Sequence, residues 1–544
     1  MAIVELRIAE LEVKIMHGEL EIEGPSWISI SNPEELMTGF QRQYVSKLVP
    51  SNPVVLKTLL IAVAVVNSAT LGYDASVMNG LSILPSYTGY FQLNDATTGL
   101  NNAAVWMGTI LGIPLVQPIP DRYGRKNSIL VATIITFLGI VLQAAAQNIA
   151  MFVVGRIIIG FGTCLSNVSA PPLLAELLPP RSRSYVLGIF FSCFYVGGLL
   201  SAIINYGSQN ILSTWAWRLP SLLQFIPSII AVALLPFIPE SPRWLIANRH
   251  EEHAKEVLAV LGGGKSDDAL VNAAVEMRDI KSTIAKEAAA YPRSPWKELF
   301  STPANTKRVV LLVIFGAMIE TVGNFILSYY LTRILSQAGI TDTHRQTQIN
   351  VIIQCWSFSV AVAGSFLLDV IGRRLQTLIG MVGITVTLYM LGAFIKVYGD
   401  STDASKNYGI LAIIFLFQGF YAFSLTPMTS LYPTEICQYK LRAAGAAVFK
   451  AVNAGLGLVM SFTMSFAMSK LGWKFYFINA SWDVVVTALV FFFFVETKGL
   501  QLEEIAIKFG DDFITEDYDS SNVNSTIEGG GKLNKGKLNE HEVL

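Results

Sequence analysis

The stretch LKTLLIAVAVVNSATLGYDASVMNGLSI, residues 56–83, decides how the rest of the chain is interpreted. It is apolar over about 20 residues, which is the length that a helix needs to cross the hydrocarbon core of a bilayer. A single carboxylate, Asp74, interrupts it. A charge at the centre of such a helix costs roughly 2.5–3.5 kcal/mol on insertion scales, so we expect another part of the chain to offset it.

The composition of the whole chain indicates the same environment. Of its 544 residues 52% are hydrophobic and only 15% are charged, which is more apolar surface than a soluble domain can bury. The formal net charge of −1 argues against a nucleic-acid partner. Cys164, Cys193, Cys355 and Cys437 have no close partners in sequence, so no disulfide framework or metal site is expected. We expect an integral membrane protein that is not an enzyme and holds no cofactor.

Twelve apolar runs are long enough to be membrane-spanning helices. Their centres lie near residues 68, 109, 137, 160, 194, 228, 320, 358, 386, 420, 455 and 484. Loops on one side carry Lys and Arg, at 121–126, 179–184, 238–244, 306–308, 372–374 and 438–443. The loop at 79–100, on the other side, has neither. By the positive-inside rule the basic loops are cytoplasmic, which predicts a multi-pass protein of the plasma membrane with both termini inside.

The sequence contains an internal repeat. DRYGRK at 121–126 recurs as DVIGRR at 369–374, and AELLPPRSRS at 175–184 recurs as TEICQYKLRA at 434–443. Two halves of six spans in the same orientation are typical of transporters whose bundles rock about a central site. The predicted regions are an N-terminal cytosolic tail (1–55), a first six-helix bundle (56–239), a linker with short amphipathic helices (240–307), a second bundle (308–496) and a mostly disordered cytosolic tail (497–544).

These motifs resemble the sugar porter family of the major facilitator superfamily. The resemblance covers about residues 55–510 and rests on DRYGRK, GRIIIGFG (155–162), AELLPPRSR, PESPRWL (239–245), DVIGRRL, YPTEICQYKLRAAG and VETKGLQLEEI. VGNFILSYYLTRIL (322–335) and GWKFYFINASWDVVVTALVFFFFVETKG (472–499) are most similar to the fungal branch that includes lactose and cellodextrin permeases. The resemblance implies an all-α membrane fold of two parallel six-helix repeats and transport of a sugar.

Arg156 in the fourth span is the candidate counter-charge for Asp74. The first span runs outward and the fourth inward, and a rise of 1.5 Å per residue places the two side chains at similar depth. The resemblance implies that Asp74 takes up a proton and that Arg156 sets its proton affinity. The alternatives are a static ion pair, or an Asp74 that is merely solvated among lipid headgroups.

Charged residues recur at the cytoplasmic ends of both halves. Because acids contribute little to topology, their recurrence favours inter-helix ion pairs that lock the inner side while the outer side is open. The predicted gating network is Asp121, Arg125, Glu176, Arg183, Glu240 and Arg243 with Asp369, Arg373, Glu435, Arg442 and Glu496. Simple topology signals are the alternative. One departure from the family pattern is Gln117, where a glycine is usual.

Polar and aromatic side chains of the seventh, eighth and eleventh spans are the candidates for binding a solute. A sugar needs side-chain hydrogen bonds in a dry pocket, and polar groups buried there need partners. The candidates are Glu320, Asn324, Tyr329, Tyr330, Asn350, Gln354, Trp356 and Asn453. Hydrogen bonds between helices are the alternative role for the group. The two tyrosines are candidates for gate residues or interface anchors.

Several positions depart from the pocket of hexose porters. The two family glutamines of the fifth span correspond to Phe191 and Gly198. The glutamine pair of the seventh span corresponds to Ile319–Glu320, and a tryptophan of the tenth span to Ser430. These departures favour a larger or less polar solute, such as a disaccharide, a glycoside or an exported metabolite. They also make Glu320 a candidate second proton site or ligand.

The sequence therefore predicts a monomeric secondary active transporter that moves a sugar through the bilayer by alternating access, coupled to protons. The alternative is an exporter of a metabolite, or a passive facilitator, built on the same fold. A membrane sensor is a third hypothesis, although the C-terminal tail is short and low in complexity.

Overall fold

The computed structural model describes residues 43–178, 186, 189–262, 267–290, 295–398, 404–437, 441–498, 505 and 508–510. Every regular element in these ranges is a helix, which confirms the predicted all-α fold. The predicted tails lie largely outside the described residues. We number the helices of the two bundles α1 to α12 and name the connecting helices by their residues. The end of the bundles that carries the basic loops is called the basic end, and the other the opposite end.

The first bundle is built from six helices. They are α1 (Pro53–Ile83), α2 (Asp95–Gly112), α3 (Arg125–Ala144), α4 (Ile149–Leu177), α5 (Ile189–Ser208) and α6 (Trp215–Phe237). A short helix, Pro85–Phe91, connects α1 to α2, and another, Pro118–Tyr123, precedes α3. Asn148 caps α4 by accepting the Met151 backbone N–H, as an N-cap amide commonly does.

The second bundle repeats this order. Its helices are α7a (Pro303–Thr321), α7b (Asn324–Gln337), α8 (Thr343–Ile371), α9 (Arg373–Tyr398), α10 (Ala404–Ile436), α11 (Arg442–Leu471) and α12 (Lys474–Phe493). The seventh helix is broken at Gly323, whose φ of 84° is a left-handed conformation that favours glycine. The linker contains helices Pro242–Ala247, Glu251–Leu261, Asp267–Ala290 and Pro295–Glu298.

Eleven segments of the described chain are long and apolar enough to cross a membrane, and α2 is not among them. Its first half is polar, and its buried face includes Asn101 and Asn102. The sequence predicts this span near residue 109, whereas the helix ends at Gly112 and a 3-10 turn, Ile113–Leu115, follows. The polar half is sheltered because α2 packs between α4 and α11.

Helix packing within the two bundles follows the sequence repeat. In the first bundle α1 packs on α5, α2 on α4, and α3 on both α4 and α6. In the second bundle α7a packs on α11, α8 on α10, and α9 on both α10 and α12. The bundles meet through α2 against α11 and through α5 against α8. Each contact has its counterpart six helices later, as parallel repeats require.

Two glycines bring α1 and α5 together backbone to backbone. A Cβ atom on Gly72 would lie 1.8 Å from the Phe194 carbonyl oxygen, and one on Gly197 would lie 1.8 Å from the Ala69 carbonyl oxygen. Small residues allow such close approach between membrane helices. The contact fixes the rotation of α1 two residues before Asp74.

Candidate functional site

Asp74 is sealed inside the first bundle. Its side chain is 2% exposed, and neither carboxylate oxygen has a hydrogen-bond partner in the part of the chain that the structure describes. The preceding residue, Tyr73, is fully buried, and its hydroxyl donates to the Pro220 carbonyl oxygen at 2.8 Å. The helix is thus held just before the acid, while the carboxylate itself has no hydrogen bond to the described residues.

Arg156 lies near Asp74 but does not bind it. Its side chain is 1% exposed, and Nε donates to the Asn101 carbonyl oxygen of α2 at 3.0 Å. Among described residues Nη2 has no partner. The two helices that carry these residues, α1 and α4, pack on each other, but no hydrogen bond joins the guanidinium to the Asp74 carboxylate. The direct pair expected from their similar depth is therefore not formed in this conformation.

Glu320 and Asn453 meet where α7a packs on α11. Glu320 is 4% exposed, and its Oε1 accepts a hydrogen bond from Asn453 Nδ2. Gly316, one turn earlier, permits the approach, because a Cβ atom there would already lie 3.2 Å from the Phe449 carbonyl oxygen. The structure thus unites two of the predicted solute-binding residues through a contact between helices.

Two predicted amides of α8 face the seam between the bundles. Asn350 and Gln354 are buried, and each has a side-chain oxygen without a partner among the described residues. Gln354 reaches α5 of the other bundle, where a Cβ atom on Gly198 would lie 2.7 Å from its Oε1. The glycine that stands in place of a family glutamine therefore makes room for Gln354.

Trp356 lies outside this buried set. It is 42% exposed, and its indole N–H donates to the Phe415 carbonyl oxygen of α10 at 2.8 Å. Trp356 and Gln354 point in nearly opposite directions, because residues two apart in a helix are separated by just over half a turn. The predicted role of Trp356 in lining the solute site finds no support in its position.

The broken seventh helix carries both predicted tyrosines. Tyr330 departs from helical geometry, with φ −128° and ψ 23°, and its hydroxyl donates to the Ser461 carbonyl oxygen at 2.8 Å. Tyr329 stacks on Phe325 with ring centroids 5.1 Å apart, and Phe325 lies 5.7 Å from Trp106 of α2. Asn324, another predicted binding residue, begins α7b. This half-helix therefore contacts the first bundle directly.

Polar contacts join the two bundles at the opposite end. Arg333 of α7b forms an ion pair with Asp95 at the start of α2, and also donates to the Ser465 carbonyl oxygen at 2.9 Å. On the other flank the Tyr206 hydroxyl lies 3.1 Å from His344 Nε2. The bundles are thus held closed at this end in the present conformation.

At the basic end of the first bundle the predicted charges form one cluster. Arg125 lies 3.7 Å from both Asp121 and Glu176. Glu240 accepts the backbone N–H groups of Arg125 at 3.0 Å and of Lys126 at 3.1 Å. A carboxylate is favoured at a helix N-terminus, where unpaired N–H groups concentrate. Burial nevertheless raises the pKa of Glu240, and that of Asp121, above the ordinary value.

The second bundle repeats the cluster with other residues. Arg373 lies 2.8 Å from both Asp369 and Glu435. Glu496 accepts the backbone N–H groups of Arg373 at 2.9 Å and Arg374 at 3.0 Å. These match the contacts of Arg125, Asp121, Glu176 and Glu240 in the first bundle. Each cluster therefore ties the start of one helix, α3 or α9, to the segment that follows α6 or α12.

A glycine makes each of these carboxylate contacts possible. Gly124 has φ 93° and Gly372 has φ 100°. A Cβ atom would lie 2.3 Å from a Glu240 oxygen in the first case and 2.7 Å from a Glu496 oxygen in the second. Both the backbone conformation and the space therefore require glycine at these two positions.

The ion pairs named for the two clusters each stay within one bundle. Arg125–Glu176 and Arg373–Glu435 do join different helices, and the gating role of these ion pairs stays a prediction. Arg183 and the side chain of Arg442 lie outside the described residues, and Arg243 is half-buried in the first turn of Pro242–Ala247.

Two intramembrane charges were missed when the sequence was interpreted. Lys450 is half-buried in α11, one turn before Asn453. Asp483 of α12 is fully buried, and both its oxygens lack partners among the described residues. The signal was present, because each is the single charge in an apolar run, AAVFKAVNAGLGLV (446–459) and ASWDVVVTALVFFFF (480–494).

Solved structures share this architecture. The xylose transporter XylE from E. coli, in a partially occluded inward open conformation, superposes with a TM-score of 0.69. The match covers 82% of this chain and 100% of that one at 22% sequence identity. This likeness supports the major facilitator fold of two six-helix bundles, in which α2 takes the second position.

Comparison with known sequences identifies the family. The high-affinity glucose transporter of Kluyveromyces lactis is 29% identical over 81% of this chain and 83% of its own length. An H(+)/hexose cotransporter of Parachlorella kessleri is 28% identical over 80% and 84%, and the MFS-type transporter oryC of Aspergillus oryzae is 28% identical over 82% and 84%. Residues 60–509 match the family described as Sugar (and other) transporter. The chain therefore belongs to this transporter family.

Proposed function

We propose that this protein is a secondary active transporter that moves a sugar across the plasma membrane by alternating access, driven by protons. The observation that carries the proposal is the Asp74 carboxylate, buried without a hydrogen-bond partner in the described part of a transporter fold. Relatives named as glucose and proton/hexose transporters support the choice of substrate and of coupling ion. The proposal includes a monomer with cytoplasmic termini.

A proton on Asp74 would change the energy of the buried site. An ionised carboxylate without a charged or hydrogen-bonding partner is costly in a dry interior, and protonation removes that cost. Arg156 is a second charged group buried in the same bundle, so proton uptake by Asp74 changes the balance of charge there and can be linked to the conformation that buries both groups. A proton that moves down 100 mV releases about 2.3 kcal/mol, enough for roughly fifty-fold accumulation of a neutral solute.

The solute would bind at the seam between the bundles. The unpaired side-chain oxygens of Asn350 and Gln354 can accept hydrogen bonds from sugar hydroxyls, which would satisfy them. Glu320 and Asn453 offer further polar groups on the second bundle, and Tyr329 and Tyr330 on α7b can close over the site. Gln354 against Gly198 supports a pocket unlike that of hexose porters, in keeping with the fungal lactose and cellodextrin branch.

Opening and closing would then use the charges at the two ends. The contact between Asp95 and Arg333 holds the opposite end closed, and it must break when that end opens. The clusters around Arg125 and Arg373 remain intact within each bundle, so they are available to engage the other bundle when the basic end closes.

Uptake measurements in yeast that lacks its own sugar carriers test this function. We expect accumulation of at least one of labelled glucose, lactose and cellobiose, and we expect a protonophore to abolish it. Asp74→Asn should lose accumulation but retain exchange of substrate down its gradient. Asp483→Asn is the matched control, because it also removes a buried, unpartnered carboxylate, and accumulation should persist.

Export of a metabolite, or passive transport, is the second candidate. It is favoured by the altered pocket at Gly198 and by similarity to oryC, whose name specifies no sugar. Full accumulation by Asp74→Asn would refute the coupling site. Correct surface expression without uptake of any of the three sugars would favour export.

A further inference from the structure

Tyr195 of α5 reaches from the first bundle into the second. Its side chain is 5% exposed and packs against Ala361 of α8 and Ala422 of α10. Its hydroxyl lies 3.1 Å from the Thr426 hydroxyl of α10, and Gln418 Nε2 donates to it at 3.5 Å. Neither the solute site nor the proton site proposed above uses this contact.

The same turn of α5 is locked to α1 beside Asp74. A Cβ atom on Gly72 would lie 1.8 Å from the Phe194 carbonyl oxygen, and one on Gly197 would lie 2.7 Å from the Tyr73 backbone nitrogen. Backbones packed this closely cannot rotate past each other without a clash, because no flexible side chain lies between them. A displacement of α1 at Asp74 must therefore displace this turn of α5 as well.

Thr426 lies where α10 is easily deformed. The next residue, Pro427, has no backbone N–H, so the Phe423 carbonyl oxygen lacks its donor within the helix. Gln376 of α9 supplies one instead, with Nε2 at 2.7 Å from that oxygen. A helix that has lost an internal hydrogen bond bends most readily at that point. A shift that Tyr195 transmits therefore reaches α10 where this helix can respond to it.

The hydroxyl contact is strong enough to contribute to coupling. Thr426 is 7% exposed, so both hydroxyls are shielded from water. One hydrogen bond inside a protein commonly changes an equilibrium about two- to tenfold. Coupling between two sites commonly changes an affinity about fivefold or more. A single hydrogen bond can therefore carry a measurable part of the coupling between the bundles.

We propose that Tyr195 is a positioning residue that transmits the protonation state of Asp74 to the second bundle. Proton uptake changes the packing of α1, the glycine contacts move α5 with it, and the Tyr195 hydroxyl passes the movement to α10. This inference rests on the proposed proton-driven transport and names a route by which the proton acts on the bundle that holds Asn350 and Gln354. Because α1 also packs on α7b and α8 directly, the hydroxyl contact should carry part of the coupling.

Transport by the purified full-length protein in proteoliposomes tests the inference. Labelled glucose, lactose and cellobiose are the probes, and each is measured in two ways, as accumulation under an imposed proton gradient and as exchange without a gradient. Tyr195→Phe keeps the ring and removes the hydroxyl. We expect it to lower the accumulation ratio about two- to tenfold and to retain exchange, because one hydrogen bond commonly contributes about that much to an equilibrium.

Thr426→Val removes the other hydroxyl with little change of shape, so it should lower accumulation to a similar extent. The double variant should add little, because two residues that act through one contact are not additive. If one of the two single variants does not fold, the other still decides.

A tyrosine whose contact stays within one bundle provides the matched control. The Tyr389 hydroxyl of α9 lies 2.9 Å from the Ser481 hydroxyl of α12, so Tyr389→Phe also breaks a contact between two hydroxyls. Because both helices belong to the second bundle, this substitution should leave the accumulation ratio unchanged.

Accumulation by Tyr195→Phe equal to that of the wild-type protein would overturn the inference and leave proton-driven transport standing. Loss of exchange together with accumulation would do the same, because it would indicate a structural role for the hydroxyl. Additive effects of the two substitutions would also overturn it. If the wild-type protein accumulates none of the three sugars under the gradient, the proposed function itself fails, and the inference with it.

Discussion

Replacing Asp95 with asparagine should shift the transporter towards the state that is open at the opposite end. Asp95 and Arg333 form the ion pair that joins α2 to α7b, and the two side chains are 35% and 33% exposed. Exposed pairs contribute about 0–1 kcal/mol and buried pairs more, so a pair one-third exposed is worth about 1 kcal/mol. Its loss should raise the ratio of open to closed molecules about fivefold.

Distances between spin labels at the opposite end would measure this shift. Gly89 in the first bundle has nothing within 4 Å of its Cβ position, and Tyr408 in the second is 63% exposed, so both tolerate a label. Asp95→Asn should move population from the short to the long distance, and the effect should shrink at high salt, which screens exposed charges. Arg333→Gln should act alike, and the double variant should add little.

The linker supplies a control of the same chemistry. Lys281 and Glu251 form an exposed pair remote from the seam, and Lys281→Gln should leave the label distances unchanged. Identical distance distributions for the wild-type protein and Asp95→Asn at low salt would refute the idea that this pair holds the end closed.

Three further predictions concern packing, pH and coupling. Gly72→Ala should lower the free energy of unfolding by about 1–3 kcal/mol, because its Cβ would clash with the Phe194 backbone, whereas Gly207→Ala meets open space; equal melting temperatures for both would contradict the packing argument. Burial raises the pKa of Glu240, so the protonated side chain stabilises the fold at low pH, and this stabilisation is lost as the pH rises through the raised pKa. The melting temperature of Glu240→Gln should therefore rise relative to that of the wild-type protein as the pH is raised. A difference in melting temperature that does not change with pH would contradict this prediction. Asp74→Asn should remove proton-driven accumulation, measured as protonophore-sensitive uptake, while exchange continues.

Apolar length, basic loops and repeated motifs were enough to predict the helical architecture. They placed α2 too far along the chain, with its centre near residue 109, whereas the helix is Asp95–Gly112. A count of apolar residues gives little weight to the polar turns that begin at Asp95. Those turns are helical because their amides are buried against α4 and α11, a tertiary effect that composition does not report.

The site was harder to predict because depth alone does not fix rotation about a helix axis. Counting residues placed Asp74 and Arg156 at similar depth, but the Gly72 contact and the Asn101 carbonyl set their directions, and the two do not bond. Helix rotation also separates Trp356 from Gln354. The contact between Glu320 and Asn453 joins residues remote in sequence, and only packing reveals such a pair.

The paired carboxylate contacts at Gly124 and Gly372 bear on how the molecule moves. Glu240 and Glu496 follow the last helix of their bundles, and each accepts a hydrogen bond from the start of the third helix of the same bundle, α3 or α9. These contacts connect the end of each bundle to its middle. A bundle tied together in this way is expected to move as one rigid body, so conformational change should concentrate in segments that lack such contacts. The backbone is interrupted at Gly323, between α7a and α7b, and we expect α7b to tilt there while α7a stays with its bundle.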